Sequence, residues 1–269
     1  MNRWQVWIHW CLLRAALGVI LVAATPAVAA KPGNALLAAV PPRAVDGSLA
    51  AGSTNLGNGA IAYRPKRLAD GPASVLVVLH GAGDSSGSMA ERLHPYAERF
   101  GLVLLAVQSV GPTWDLVSSI SGSGDPIGLK QRRSPRFGRD PQRIDSALTL
   151  LFQRIAVDPS RIAIAGFSDG ASIALSIALA NPRLLRGVIA MSPGLVLLPA
   201  AGVMSQRIVI THGRRDSVLA FAVSKRDIAG LMERVGYRPM FIAFDGDHRI
   251  DHDSLEQALT IVFGAARTG

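Results

Sequence analysis

Cysteine is nearly missing from this sequence. Among 269 residues only Cys11 is present, and it lies in the apolar opening stretch. A chain that loses that stretch has no thiol, so it can form no disulfide and must hold its core together unaided. Chemistry that needs a cysteine nucleophile is excluded as well. Aromatic residues are sparse, at 6%, and no nucleic-acid-binding motif or internal repeat appears, so no nucleic-acid partner is expected. Acidic residues are outnumbered, 19 against 28 Lys and Arg, giving a formal net charge of +9, or +7 without Arg3 and Arg14. That excess reads as a soluble basic surface, with contact to anionic partners as the alternative.

What is present begins with a leader. Arg3 and Arg14 punctuate an apolar opening, Ala15 to Ala24 is uncharged and apolar, and Thr25-Pro26-Ala27-Val28-Ala29-Ala30 supplies small residues. This is the pattern of a secretory signal peptide cut after Ala29 or Ala30. The run after Arg14 is short for a bilayer span, so no stable membrane insertion is expected after cleavage, a retained anchor being the alternative. Ile8-His9-Trp10 ahead of Cys11 does not resemble a lipoprotein processing site. The expected organisation is a signal peptide over residues 1–30, an irregular leading segment over 31–58 with room for one edge strand, and a single α/β domain over 59–269. The protein is expected to be periplasmic or secreted.

Apolar runs then alternate with helical patterns. Ala60–Tyr63 reads as a strand, followed by Val75–Leu79, Leu102–Val107, Ile162–Ala165, Val188–Met191, Ile208–Ile210 and Phe241–Phe244. Most are nearly continuous rather than alternating, as parallel strands buried on both faces are. Helices are predicted at about 87–100, 141–155, 169–180, 219–235 and 254–263, with Asp158-Pro159 and Asn181-Pro182 as helix-ending signals. Strict alternation implies an open, mostly parallel sheet with helices on both faces. Ligands in such sheets bind at the carboxyl ends of the strands. Gly111–Gly138 breaks the rhythm. It carries Trp114 and an Arg cluster, Gln131-Arg132-Arg133-Ser134-Pro135-Arg136, and reads as a binding or mobile loop.

The chain is organised around Gly166-Phe167-Ser168-Asp169-Gly170, set between the run Ile162–Ala165 and a small-residue helix. This G-x-S-x-G in a strand–turn–helix setting is a nucleophile elbow, which presents Ser168 at the end of the strand and at a helix N-terminus. Serine needs a base, and the base needs a carboxylate to fix its tautomer. With this elbow the order along the chain is serine, acid, histidine. Three histidines follow Ser168: His212, His248 and His252. Phe244-Asp245-Gly246-Asp247-His248 sets His248 on the last strand-to-helix loop, where the base belongs. His212 reads as a satisfied loop residue and His252 as a solvent-facing rival. Asp216, just past His212-Gly213, is the candidate acid. Acyl transfer also needs two oxyanion donors. The backbone N–H of Asp169 is one, its carboxylate pointing away. The N–H of Ala82, in His80-Gly81-Ala82-Gly83-Asp84, is the other. Trp114 is a candidate wall of the substrate pocket.

These motifs, in this order, resemble the α/β-hydrolase superfamily, and more narrowly the phospholipase/carboxylesterase group and the polyhydroxybutyrate-depolymerase-like serine esterases. The resemblance runs from about Val75 to the C-terminus. It implies Ser168 as nucleophile, Asp216 as acid, His248 as base, and Ala82 and Asp169 as oxyanion donors. It implies an ester substrate, small or polymeric, and no cofactor or metal. Little chain is left for a lid beyond Gly111–Gly138, which favours an open site. Two other classes compete: a non-catalytic binding protein on the same fold, and a metal-dependent hydrolase using the cluster Asp245, Asp247, His248, Asp251, His252 and Asp253.

Overall fold

The computed structural model describes residues 35–42, 45, 47–121, 135–199 and 206–266. The leader, its cleavage site and most of the Arg cluster lie outside them. The strands are β1 (Gly52–Gly57), β2 (Ala60–Arg64), β3 (Ala73–Leu79), β4 (Leu102–Val107), β5 (Val157–Phe167), β6 (Gly187–Met191), β7 (Arg207–Gly213) and β8 (Met240–Phe244). The helices are α1 (Ser86–Phe100), α2 (Asp115–Ser121), α3 (Asp140–Phe152), α4 (Asp169–Ala180), α5 (Gly230–Arg234), entered through a π-helical turn at Val223–Ala229, and α6 (His252–Phe263).

The described strands form one sheet in the order β1-β2-β4-β3-β5-β6-β7-β8. β2 pairs antiparallel with both β1 and β4, and every later pairing is parallel. β1 is the edge strand anticipated in the leading segment. Successive side chains of a strand point to opposite faces, and this alternation divides the core. Val75, Val77, Leu79, Ile162 and Ile164 pack on the face covered by α3 and α4. Leu76, Val78, Ala163 and Ala165 pack on the face covered by α1 and α6. Each strand therefore needs apolar residues at every position, which is why the runs read as continuous. Burying each such Val, Leu or Ile contributes roughly 1.5–3 kcal/mol.

Two expectations are corrected. Asp158-Pro159 does not end a helix: α3 stops at Phe152, and the pair sits in the opening of β5. Proline is tolerated there because this opening is exposed and the register against β3 shifts between Ala73 and Val75. The Gly111–Gly138 segment is also not loop throughout, since Asp115–Ser121 is helical.

The order of the central strands creates the site. After β3 the chain crosses to β4 on one side; after β5 it crosses to β6 on the other. The carboxyl ends of neighbouring β3 and β5, with Leu79 paired to Gly166, thus form a switch point from which both connections diverge. His80-Gly81-Ala82 and Ser168-Asp169 leave the sheet there, side by side. No helix among the described residues is long and apolar enough to cross a membrane.

Candidate active site

At the elbow, Ser168 has φ 56° and ψ −120°, a conformation that costs a non-glycine residue of order 1–3 kcal/mol. The turn persists because its surroundings over-determine it. Ser168 N–H donates to the Met191 carbonyl at 2.8 Å, and the Ser168 carbonyl accepts the N–H groups of Ala171 and Ser172. The flanking glycines are required by close approach. A Cβ on Gly166 would overlap the carbonyl of Gly170, and a Cβ on Gly170 would overlap the carbonyls of Leu79 and His80. The Asp169 N–H, at the first position of α4, has no partner within the helix.

The β3 loop lies against this turn: a Cβ on Gly81 would stand 3.5 Å from the Ser168 Cβ. His80, fully buried, fixes its course. The ring Nε2 accepts from the Ser109 N–H at 3.1 Å and from the Gln108 amide at 3.0 Å, so Nδ1 carries the hydrogen and donates to the Gly81 carbonyl at 2.7 Å. In a trans peptide the C=O and N–H point opposite ways. Tying the Gly81 carbonyl to His80 therefore turns the Ala82 N–H outward. Its neighbours are occupied: Gly83 N–H donates to Pro112 O and Asp84 N–H to Gly81 O.

Trp114 is not a pocket wall. It is fully buried, its Nε1–H donates to the His80 carbonyl at 2.7 Å, and its ring lies 5.0 Å from the His80 ring. A polar-tipped aromatic that is buried needs such a partner, and here the partner is the base of the β3 loop. The segment clamps α4 as well, because the Thr113 hydroxyl donates to Asp169 Oδ2. Burial pushes the Asp169 carboxyl above its ordinary range, with the Thr113 bond opposing. Below them, buried Asp140 accepts the N–H groups of Val110 and Asp115 and donates its own N–H to Asp115 Oδ2. Desolvation raises the Asp140 carboxyl, against the pull of those two backbone bonds. Together Asp115 and Asp140 brace the segment that carries Trp114.

The other two loops come from β7 and β8. Gly213 must be glycine, because a Cβ would overlap the carbonyls of Gly246 and Asp247. Arg214 N–H donates to Phe244 O and Arg215 N–H to Gly246 O, which sews the loops together. The Asp216 side chain is buried and its carboxylate is fully met. Oδ1 accepts the N–H groups of Val218 (2.9 Å) and Leu219 (2.8 Å), while Oδ2 faces His248 Nδ1 at 2.7 Å and His212 Nε2 at 3.0 Å. Burial alone would raise this carboxyl, but the bonds from His212, His248 and Leu219 outweigh it and hold Asp216 well below the usual carboxylate range. Because Nδ1 of His248 faces a carboxylate, it carries the hydrogen and leaves Nε2 free to accept. The His248 ring rests on Phe167, the residue before Ser168, with centroids 4.7 Å apart. The Ser168 hydroxyl makes no hydrogen bond among the described residues. Serine–histidine contacts of this kind are often long in unliganded sites and tighten on substrate.

The remaining candidates lie apart. Asp247 does not touch the imidazole: Oδ1 accepts from Ser217 N–H, Ser217 Oγ and the His248 backbone N–H, bonds that lower its carboxyl. Asp245 pairs with Arg215. His252 opens α6, largely exposed, 3.2 Å from Asp253 and against Tyr96. Among the described residues no group of three or more His, Cys, Asp or Glu side chains is placed to hold a metal ion. Sequence reasoning named His80, Trp114 and His212 without their bracing roles and missed Thr113 and Asp140. Only a polar residue at a strand end or inside an apolar stretch could have signalled them.

Residues 132–262 match the family model described as Phospholipase/Carboxylesterase. Over 200 residues the chain is 28% identical to Esterase YpfH of Escherichia coli (strain K12), covering 71% of this chain and 82% of that protein. Over 212 residues it is 24% identical to acyl-protein thioesterase 1 of Mycosarcoma maydis, covering 70% and 88%. Among solved structures, esterase PE8 superposes with a TM-score of 0.55 at 22% identity, over 73% of this chain and 94% of that one. Arabidopsis thaliana SOBER1 superposes with a TM-score of 0.52 at 18% identity, over 71% and 97%. At these identities the structural likeness speaks for the fold.

Proposed function

We propose that this chain is a carboxylesterase-type hydrolase of the phospholipase/carboxylesterase family, an exported serine ester hydrolase that works through an acyl-enzyme on Ser168; the family-model match, the esterase relatives and the α/β-hydrolase fold support the reading. The observation that carries the reading is the Asp216–His248 pair, 2.7 Å apart, with its imidazole seated against the strained Phe167–Ser168 turn. In the first step His248 Nε2 takes the Ser168 proton while Oγ bonds to the ester carbonyl carbon. The oxygen charge that develops meets the N–H groups of Ala82 and Asp169. His248 then passes its proton to the departing alcohol as the carbon–oxygen bond breaks. Water enters, gives His248 a proton and attacks the acyl carbon; as the bond to Ser168 breaks, His248 returns that proton to Oγ and the acid departs. Asp216 holds the imidazole in the right tautomer and stabilises the imidazolium between the transfers. The substrate is an ester, small or polymeric.

A fluorophosphonate should label the protein, with the adduct located on Ser168 by mass spectrometry. Ser168→Ala should hydrolyse no aryl ester while melting at a similar temperature. Retained turnover in that variant refutes the assignment. Export rests on the leader pattern: fractionation and N-terminal sequencing should find a product that starts at Ala30 or Lys31 outside the cytoplasm. A cytoplasmic product that keeps residues 1–30 would overturn it, and a membrane-bound one that keeps them would replace cleavage by a retained anchor.

A further inference from the structure

One histidine in the site has no part in the proposed proton transfers, yet it is the better buried of the two that touch the acid. His212, with no exposed surface, has Nε2 at 3.0 Å from Asp216 Oδ2 and 2.9 Å from the Leu219 carbonyl. Both partners only accept, so Nε2 carries a hydrogen. On its other side Ser224 Oγ lies 2.7 Å from Nδ1 and 2.6 Å from the Pro193 carbonyl, and its one hydrogen is shared between them. Phe221 closes the ring edge-on at 5.8 Å.

This contact begins a second bridge from the acid to the nucleophile. Pro193 opens the loop after β6, and that loop is fastened to α4: the N–H groups of Gly194 and Leu195 donate to Ser172 Oγ at 3.0 and 3.3 Å, and that of Leu197 to Ser176 Oγ at 3.0 Å. Ser172 lies one turn after Ser168. Hydrogen bonds therefore link Asp216 through Leu219, His212, Ser224 and Pro193 to the loop fastened on the nucleophile's helix, by a route that does not pass through His248. Ser172 and Ser176 also find a purpose here. They are buried hydroxyls in an otherwise apolar helix, and each must be paired.

We infer that His212 is a positioning residue: through Nε2–H it fixes the orientation of the Asp216 carboxylate, and so the aim of the His248 ring at Ser168. The inference rests on the proposed triad. Three hydrogen bonds and the His212 Nε2–H, which the carboxylate shares with the Leu219 carbonyl, leave it one favourable orientation. Without His212, Oδ2 keeps only the bond to the His248 imidazole among the described residues.

Two amide variants separate this role from a purely structural one. The glutamine amide nitrogen reaches the position of Nε2 and can still donate to Asp216, whereas that of asparagine reaches only the position of Nδ1 and keeps the Ser224 side. His212→Asn should lower kcat about 10–100-fold, the loss of one charge-assisted hydrogen bond, with KM within about 2-fold. His212→Gln should recover most of that loss even if its melting temperature falls as far. A kcat in His212→Asn within about 2-fold of wild type overturns the inference, and so does an equal loss in both variants that tracks their melting temperatures. Should both variants fail to fold, through-bond ¹H–¹⁵N correlation of the wild-type histidines decides: a hydrogen on His212 Nε2 supports the contact, and a bare Nε2 refutes it. That spectrum does not depend on activity, so failure of the Ser168 labelling would count against the triad and leave the His212 contact to its own test.

Discussion

Replacing the Asp216 carboxylate by an amide changes one group and reverses the logic of the site. In Asp216→Asn the amide oxygen can keep the backbone donors Val218 and Leu219, at 2.9 and 2.8 Å. The NH2 group then occupies the place of Oδ2, where it faces His248 Nδ1 and His212 Nε2 at the wild-type distances of 2.7 and 3.0 Å. Donor meets donor. Turning the amide over only moves the conflict to the backbone N–H groups. His248 escapes by moving its hydrogen from Nδ1 to Nε2, and in that tautomer it cannot take the proton of Ser168. The same exchange in a trypsin-type triad lowers kcat about 10⁴-fold, so a loss of about 10³–10⁴-fold is expected here, or about 4–5.5 kcal/mol of transition-state stabilisation. KM should change little, because a fully buried side chain offers substrate no surface. Each unmet donor costs about 1–3 kcal/mol of stability, offset because a charge is no longer buried. The assay is steady-state hydrolysis of an aryl ester, run below the melting temperature of the variant. A kcat within tenfold of wild type would refute the reasoning. If Asp247→Asn lost the activity instead, Asp247 would be the acid.

Trp114→Phe keeps the ring against His80 but strands the buried His80 carbonyl. It should cost about 1–3 kcal/mol in denaturant unfolding and lower kcat more than it changes KM; an altered acyl-chain preference at constant kcat would restore Trp114 to the pocket wall. Gly170→Ala should cost about 1–3 kcal/mol or more, read as a fall in melting temperature, because the new methyl must displace the strand end at Leu79 and His80. An unchanged melting temperature would mean that the elbow is looser than its contacts imply. The pH dependence of stability follows from Asp216, whose folded carboxyl lies below its unfolded value of about 3.9. Its contribution is complete above that value and is lost as pH falls through the folded value, at no more than about 1.4 kcal/mol per pH unit. Acid titration of unfolding should thus be shallower for Asp216→Asn than for wild type below about pH 4, and equal slopes would show that the folded carboxylate has no such advantage.

The sheet could be read from the amino acids in order, because strands buried on both faces must be apolar at every position and parallel strands must alternate with helices. The elbow was legible for the same kind of reason. Gly166 and Gly170 are local requirements of one tight turn, and a local requirement leaves a mark in five consecutive residues. Positions such as His248 could be placed at a strand end, and the order along the chain put Asp216 ahead of it. Asp158-Pro159 was misread because only the register of β5 against β3 says that proline is harmless there.

Which side chains meet was settled by the folded chain. Asp216, Asp245 and Asp247 are equivalent as letters near the ends of strands; the crossing of the β7 and β8 loops at Gly213 sends one to an imidazole, one to Arg215 and one to Ser217. Trp114 looked like a pocket residue because a lone aromatic in a long loop suggests a surface, yet the fold turned it inward to hold a carbonyl that it meets 34 residues away in the chain. His212 reads as a satisfied histidine and is one, but only tertiary packing brought its Nε2 within 3.0 Å of the carboxylate oxygen that faces the His248 ring. Hydrogen bonds between distant segments carry no periodicity along the chain, so no reading of spacing reaches them.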